Sequence, residues 1–204
     1  MPEPGKRNLF ANLGLVPRTF APPDSGREVM RKRYFPNVSL VTHEGKPVRF
    51  YDDLLKDRIV VLNLMYADCT TLCPMITANL VKAQKILASR VTREVSFVSL
   101  TIKPHDDTPA KLAAYARMHE VRKNWLFLTG KPDDLELLRA RLGYRDPNPD
   151  KDRKDKALHS GMVRYGNEPL SQWSSVQGSA DPDWIAEEIC YVVPRERQEV
   201  SNES

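Results

Sequence analysis

The run Ile59-Val-Val-Leu-Asn-Leu-Met65, continued by Tyr66-Ala-Asp-Cys69-Thr-Thr-Leu-Cys73-Pro74, is the stretch that decides the fold of this chain. The run is short, apolar and rich in β-branched residues, which predicts a buried strand. Apolar residues then recur at helical spacing from Ile76 to Leu87. Pro74 suits the first turn of that helix, because the missing N–H of proline has no helical partner there. Two cysteines are therefore predicted at the point where a core strand turns into a helix.

Cys69 and Cys73 are the strongest chemical signal in the sequence. Their C-x-x-x-C spacing puts two thiols on one side of a helix, because residues four apart face the same way. Such a pair could chelate a soft metal ion or close a disulfide, and two buried structural thiols are the alternative. If both lie in the first helical turn, the positive end of the helix dipole lowers both pKa values and favours the reactive thiolate.

Composition limits the classes of protein to be considered. The chain has 204 residues, of which 41% are hydrophobic, enough for one domain with a real core. Its net charge of +4 is scattered, which predicts a solvated surface and no nucleic-acid face. No stretch is long and apolar enough to span a bilayer. Residues 6–10 resemble the basic start of an export leader, but residues 11–16 are too short for its apolar core. The three cysteines cannot all pair within one chain, which argues against a disulfide scaffold.

Strands and helices alternate along the sequence, and this alternation predicts a three-layer α/β domain. Residues 1–33 are rich in proline and are expected to form an extended or partly disordered arm, while residues 34–193 form the domain and residues 194–204 a flexible tail. Residues 38–50 are predicted to form a hairpin, and residues 146–156 a polar loop insertion. Further strands are predicted at 95–102, 125–128 and 161–165, and helices are predicted to begin at Thr108, Asp133 and Asp181.

A selective copper site needs a third donor besides two thiolates, and imidazole suits both Cu(I) and Cu(II). Of the four histidines, His43 is expected in a solvated turn, and His119 ends a helix, where a cation at the negative pole is favourable. His105 lies in a loop after a strand, at the end of the sheet where α/β sites form, and His159 enters the last predicted strand. Each alone is more often structural than a ligand, so the third donor stays open. Cys190, on the last helix, is expected to be an apolar boundary residue.

Several segments resemble the Sco/SenC family, the copper-handling proteins of cytochrome oxidase assembly. Cys69-Thr-Thr-Leu-Cys73-Pro74 resembles the CxxxCP motif of that family, and Leu158-His159-Ser160 is similar to its distal His-Ser element. Ile102–Pro109, which ends in Asp-Thr-Pro, and Leu128–Asp133 are similar to two of its loops. The resemblance runs from Tyr34 to Ile189 in a consistent order. It implies a thioredoxin-like three-layer sandwich with an N-terminal β-hairpin extension.

The resemblance also implies a copper site, for Cu(I) or Cu(II), with Cys69, Cys73 and His159 as ligands. The implied function is that of a metallochaperone that delivers copper to, or matures, the dinuclear copper centre of a cytochrome oxidase. The rival is a thiol–disulfide oxidoreductase, in which Cys69 and Cys73 are the catalytic residues that reduce partner cysteines. A redox-sensing or partner-binding thioredoxin-like module is the third alternative. Whether the protein is an enzyme is therefore open from the sequence.

The implied partner is a copper-receiving cytochrome oxidase subunit or another copper or thiol redox protein. The chain is expected to be a monomer in the periplasm or another extracytoplasmic compartment, held at a membrane only through an anchor outside this sequence. Two positions depart from the family pattern, because Lys103 and Leu158 stand where acidic residues are usual. A lysine near the cysteines would favour thiolates by its charge.

Overall fold

The computed structural model describes residues 25–154 and 161–194. Within them, strand β3 (Ile59–Met65) is buried along its whole length, as its apolar sequence predicted. It lies inside a seven-stranded sheet, where β4 (Val95–Thr101) pairs with it in parallel on one side and β6 (Met162–Asn167) pairs antiparallel on the other. Because helices cover both faces of the sheet, alternate side chains of β3 contribute to two separate apolar cores.

The remaining elements extend the sheet and cover it. The other strands are β1 (Ser39–Thr42), β2 (Pro47–Arg49), β5 (Trp125–Gly130) and β7 (Gln172–Gln177). The sheet order is β2-β1-β5-β4-β3-β6-β7, in which β3, β4 and β5 are parallel. The helices are α1 (Gly26–Tyr34), a π-helix (Phe50–Leu55), α2 (Leu72–Arg90), α3 (Pro109–Met118), α4 (Pro132–Arg141), α5 (Pro149–Lys154) and α6 (Pro182–Cys190).

Three layers result, as the alternation of strands and helices predicted. Helices α2, α3 and α6 cover one face of the sheet, and their buried side chains form one core with Val61 and Met65 of β3. Helix α4 and the π-helix cover the other face, where they pack on Leu62 and Leu64. The predicted N-terminal hairpin is present as β1 and β2, joined by a turn in which Gly45 has a φ of +81°. Glycine adopts that left-handed conformation without steric cost.

The predicted starts of two helices are also confirmed. The Thr108 side chain accepts a hydrogen bond from the Lys111 N–H at 3.3 Å, and the Asp181 carboxylate accepts one from the Asp183 N–H at 2.9 Å. A proline follows each capping residue at the first helical position, where no N–H is needed. Among the described helices, none is both long and apolar enough to cross a membrane.

The structure corrects one part of the predicted extended arm, since residues 26–33 lie in helix α1. Arg27 docks this helix through hydrogen bonds of 2.8 and 2.6 Å to the buried carboxylate of Glu168. The two residues are 141 positions apart, so the pattern of the arm alone does not predict the contact. Residues 1–24 of the arm and residues 195–204 of the tail lie outside the described residues, and the domain boundaries stay a prediction.

The predicted loop insertion at residues 146–156 is wrong for residues 149–154, which form the short helix α5. An ion pair holds this helix against the domain, because the buried Arg139 guanidinium donates to both carboxylate oxygens of Asp152, at 2.7 and 2.5 Å. The mixed charges of the segment predicted a solvated loop. The local sequence does not show that one of these charges, Asp152, pairs with Arg139 on α4. Sequence patterns do not predict β7 or the π-helix either, since neither has a clear apolar period.

The Arg139–Asp152 pair is expected to stabilise the domain, because removing one partner leaves the other charge buried without compensation. Arg139→Met should lower the free energy of unfolding, measured by urea denaturation, by about 3 kcal/mol. Arg122→Met, at an exposed position, is the control and should change it by less than about 0.5 kcal/mol. Equal effects of the two substitutions would contradict the role given to the pair.

The same pair makes stability depend on pH. Hydrogen bonding from Arg139 holds the pKa of Asp152 well below its usual range. An unfolded aspartate has a pKa of about 4, so the stabilisation is complete above that pH and is lost as the pH falls toward the lower folded pKa. The difference in unfolding free energy between the parent and Arg139→Met should therefore shrink in acid.

Candidate functional site

Cys69 and Cys73 lie at the carboxyl end of β3, where the chain enters α2. The helix begins at Leu72, so Cys73 lies in its first turn. Cys69 lies in the turn before the helix, where its N–H donates to the Tyr66 carbonyl at 3.2 Å. The lowering of both thiol pKa values was predicted on the condition that both cysteines lie in the first turn of the helix. Only Cys73 lies there. Both side chains are buried, with exposed fractions of 7% for Cys69 and 2% for Cys73.

The backbone at the start of α2 links the two cysteines. The Cys73 N–H donates to the Sγ of Cys69 at 3.3 Å. Burial opposes ionisation of Cys69, but hydrogen bonds from the backbone N–H groups of Cys73 and Thr71 outweigh it and lower the pKa of Cys69 to about 6. N–H groups at a helix N-terminus carry partial positive charge, which stabilises a thiolate. Cys69 is therefore the nucleophilic sulfur at neutral pH.

Cys73 shows the opposite shift. Burial raises the pKa of Cys73 to about 12, and the hydrogen bond between its thiol and the Cys69 sulfur also keeps the proton on Cys73. The prediction that the helix dipole lowers both pKa values is thus wrong for Cys73. Its side chain belongs to the apolar core on this face of the sheet, where the loss of solvent outweighs the dipole.

A buried carboxylate from the next loop supports the turn before Cys69. Asp107 follows β4 and has 1% of its surface exposed, and its oxygens accept from the Ala67 N–H at 3.3 and 3.2 Å. The Thr101 hydroxyl donates to the same carboxylate. Because β3 and β4 are parallel, the loops that follow them meet at one edge of the sheet. The sequence did not predict that Asp107 supports the cysteine turn. The one signal in the sequence is that an acidic residue stands directly before Thr108, the N-cap of α3.

Two lysines border the same turn. The Lys111 ammonium binds the Asp68 carboxylate at 2.6 Å and lies 3.7 Å from an oxygen of Asp107. The Lys103 ammonium lies over the Tyr66 ring, 4.2 Å from its centroid, so the loop after β4 approaches the cysteine turn. The charge of Lys111 is therefore balanced by carboxylates, and Lys103 is the lysine whose charge faces the turn through an aromatic ring.

The three histidines within the described residues do not complete a metal site. His43 lies in the turn of the hairpin, as predicted, but it is half-buried and its Nδ1 accepts from the Phe127 N–H at 3.2 Å, so the predicted solvation is wrong. His119 packs on the Tyr115 ring, and burial lowers its pKa, which argues against the predicted cation after α3. His105 is exposed. Across residues 25–154 and 161–194, no group of three or more His, Cys, Asp or Glu side chains is arranged to hold a metal ion.

His159, the third ligand that the resemblance implies, lies outside the described residues. The described chain resumes at Gly161, where a Cβ atom would lie 3.5 Å from the Cδ2 of Leu72. The start of β6 therefore borders the first turn of the cysteine helix. Cys190, by contrast, ends α6 and lines a cavity with Arg90 at the opposite end of α2. Its partial burial fits the expected boundary residue.

The two sulfurs can act chemically in two ways. A thiolate beside a second thiol offers two donors that fit a soft ion such as Cu(I), once the Cys73 proton is released. Hard ions such as Mg²⁺ and Ca²⁺ prefer oxygen ligands and do not fit this donor set. The same pair also has the asymmetry of a nucleophile and a resolving thiol, which thiol–disulfide exchange requires.

The chain is similar to known proteins in sequence and in structure. The SCO1/SenC family model matches residues 28–192. The SCO1 protein homolog of Bacillus subtilis (strain 168) is 31% identical over 152 residues, which span 71% of this chain and 75% of that protein. Yeast Sco1, solved with copper bound, has a TM-score of 0.59 at 21% identity and covers 78% of this chain and 94% of its own. A SCO1/SenC family lipoprotein from Bacillus anthracis str. Ames has a TM-score of 0.60 at 22% identity, with coverages of 76% and 92%. These likenesses confirm the thioredoxin-like fold.

The asymmetry of the cysteine pair predicts a pH-dependent reactivity. In a Cys190→Ser background, iodoacetamide should modify Cys69 at a rate that rises through a midpoint at a pH of about 6, where its thiolate forms. Cys73 should stay unmodified at neutral pH, because burial keeps it protonated. Cys69→Ser is the matched control and should lose the reactive thiol. A midpoint near the ordinary thiol value of about 8.5 would contradict the assigned hydrogen bonds.

Proposed function

This chain belongs to the SCO1/SenC family, and from this membership we propose that it binds copper as cargo and delivers it to, or matures, the dinuclear copper centre of a cytochrome oxidase. The proposed ligands are Cys69, Cys73 and His159. The observation that carries the proposal is the hydrogen bond from the Cys73 N–H to the Cys69 sulfur, because it holds two soft donors together with one of them ionised. The copper bound in the yeast relative supports the choice of metal.

His159 supplies the third donor in this proposal. A neutral imidazole suits both oxidation states of copper and completes a three-coordinate site with two thiolates. The position of Gly161 beside Leu72 supports the choice, because the segment that carries His159 enters the described structure next to the cysteine helix. The described histidines offer no alternative, since none of them groups with the two cysteines in a metal-binding arrangement within the described residues.

Copper binding displaces a proton from Cys73 in this proposal. The Cys69 sulfur is ionised at neutral pH, whereas Cys73 must lose its proton before it can become a ligand. His159 must be neutral to bind, so acid weakens the site through all three ligands. Delivery then proceeds by ligand exchange, in which donors of the receiving protein replace these ligands one after another.

The proposed setting is extracytoplasmic. The Bacillus anthracis relative is described as a lipoprotein, which supports a location outside the cytoplasm and near a membrane. The proposed partner is a copper-receiving oxidase subunit or another copper or thiol redox protein, and the chain acts as a monomer. Lys103 is exposed beside the cysteine turn and forms no ion pair within the described residues, so it favours a partner surface that carries an acidic residue there.

Reduction of partner disulfides is a second candidate function, and the opposite pKa shifts of the two thiols favour it. The Cys69 thiolate attacks one sulfur of a partner disulfide, so that a mixed disulfide forms and the other partner sulfur leaves as a thiolate. Cys73 then gives up its proton to the partner thiolate released in the first step and attacks the Cys69 sulfur, which releases the second partner thiolate and leaves a Cys69–Cys73 disulfide. Two electrons pass to the partner, and an external dithiol must reduce the pair again.

The copper proposal predicts a stoichiometry of one copper per reduced chain. Cys69→Ser and Cys73→Ser should each lose tight binding, because each removes a ligand. Cys190→Ser is the matched control and should bind like the parent, since Cys190 lies at the other end of α2. A competition titration with a copper chelator measures these affinities. If Cys190→Ser lost binding while Cys73→Ser kept it, the ligand assignment would be wrong.

His159→Ala separates the two candidate functions, because imidazole is a copper ligand but takes no part in a disulfide. The variant should bind copper at least about tenfold more weakly, the loss known even for partners outside the ligand shell. Oxidation and reduction of the Cys69–Cys73 pair should continue. Chelator competition and a thiol-exchange assay on the same preparations measure both properties. Copper affinity equal to the parent, with impaired exchange, would reject the copper site and support the oxidoreductase.

A further inference from the structure

One groove lies on the face of the sheet opposite the cysteines and takes no part in either function proposed above. It is bounded by α1, the end of α4 and strands β6 and β7, and its volume is about 280 Å³. Its walls include Met30, Leu62 and the packed rings of Phe35 and Trp173, whose centroids are 4.5 Å apart. These side chains belong to the apolar core of that face or pack against it, so the groove offers an apolar surface to a ligand.

Two guanidinium groups also line this groove, which we call the arginine groove. Arg164, on β6, is half-buried; its Nη2 donates to the Gly143 carbonyl at 3.2 Å, and its guanidinium carbon lies 5.3 Å from the centroid of the Tyr144 ring. Arg141 is exposed, and its Nη1 makes only a long hydrogen bond of 3.4 Å, to the Arg33 carbonyl.

Arg164 differs from the other arginines of limited exposure. Arg27, Arg31 and Arg139 each bind a carboxylate, at 2.6, 2.7 and 2.5 Å. Neither Arg164 nor Arg141 forms such an ion pair within the part of the chain that the structure describes. The two guanidinium groups therefore lack the carboxylate partner that the other three arginines have, and an anion in the groove would supply it.

We propose that the arginine groove binds a small amphiphilic carboxylate, with its charged end at Arg164 and Arg141 and its hydrocarbon chain against Phe35 and Trp173. A carboxylate matches the fork geometry of guanidinium and would accept from the N–H groups that Arg164 and Arg141 present to the groove. The volume of the groove limits the size of the ligand that it can hold. One water occupies about 30 Å³ of liquid, so the groove holds about nine groups of that size. A straight-chain acid of the length of octanoate meets this limit.

Solvation of the two guanidinium groups by water is the competing explanation, since water can also accept hydrogen bonds from them. The two explanations differ in what they require. A water needs neither the apolar walls nor a second cation, whereas an amphiphilic carboxylate uses both. A neutral molecule with the same chain therefore distinguishes them, because it can fill the apolar part but cannot pair with the guanidinium groups.

Calorimetric titration of the reduced, copper-free chain with octanoate tests the proposal. We expect saturable binding of one octanoate per chain. Arg164→Gln should weaken it by at least about tenfold, because the substitution removes a charge-assisted pair of hydrogen bonds. 1-Octanol should bind the parent at least about tenfold more weakly than octanoate for the same reason. Arg122→Gln, an exposed arginine outside the groove, is the control and should bind octanoate like the parent.

A second variant keeps the test decisive if Arg164→Gln fails to fold. Ser174 is exposed on β7 and borders the groove, so Ser174→Trp adds bulk there without removing a buried cation. Circular dichroism should show a folded chain that no longer binds octanoate, with copper affinity equal to the parent. No octanoate binding by the parent, or equal binding by the parent and Ser174→Trp, would overturn the proposal. Either result leaves the two guanidinium groups solvated by water and has no bearing on the copper proposal.

Discussion

The parallel pairing of β3 with β4, which sets Met65 opposite Thr101, is the constraint on which the candidate site depends. It brings the loop after β4 against the turn after β3, so that Asp107 can accept from the Ala67 N–H. The pairing is stable because helices cover both faces of the sheet and bury the two strands between them. The geometry around Cys69 is therefore set by the core of the domain, to which the site loops are attached by hydrogen bonds.

The start of α2 gives two chemically identical side chains different properties. Cys69 lies before the helix, and its sulfur accepts hydrogen bonds from backbone N–H groups. Cys73 lies within the first turn and is buried in the core. A copper site needs the proton of Cys73 removed when the metal binds, whereas in disulfide exchange Cys73 loses its proton in the second step. Both functions use the same sulfurs, so bound copper and a disulfide exclude each other.

Charged side chains attach the outer elements of this domain. Arg27 docks α1 on the buried Glu168, and Arg139 docks α5 through Asp152. Each pair joins a segment with little apolar surface to the core, and breaking such a pair would leave a buried charge behind. Arg164 is half-buried and forms no ion pair with a carboxylate among the described residues, which distinguishes its groove from the other surfaces of the domain.

The sequence by itself determined the parts of the structure that neighbouring residues encode. An apolar run set the buried strand β3, helical spacing set α2, and capping residues such as Thr108 set the starts of later helices. The motif around Cys69 and Cys73 also indicated the family, and His159 as third ligand stays a prediction from that resemblance. Only the tertiary structure decided the opposite pKa shifts of the two thiols, the support from Asp107 and the helical state of residues 26–33. Each of these depends on burial or on a partner from a distant segment, and a pattern along the chain carries no information about distances between segments that folding brings together.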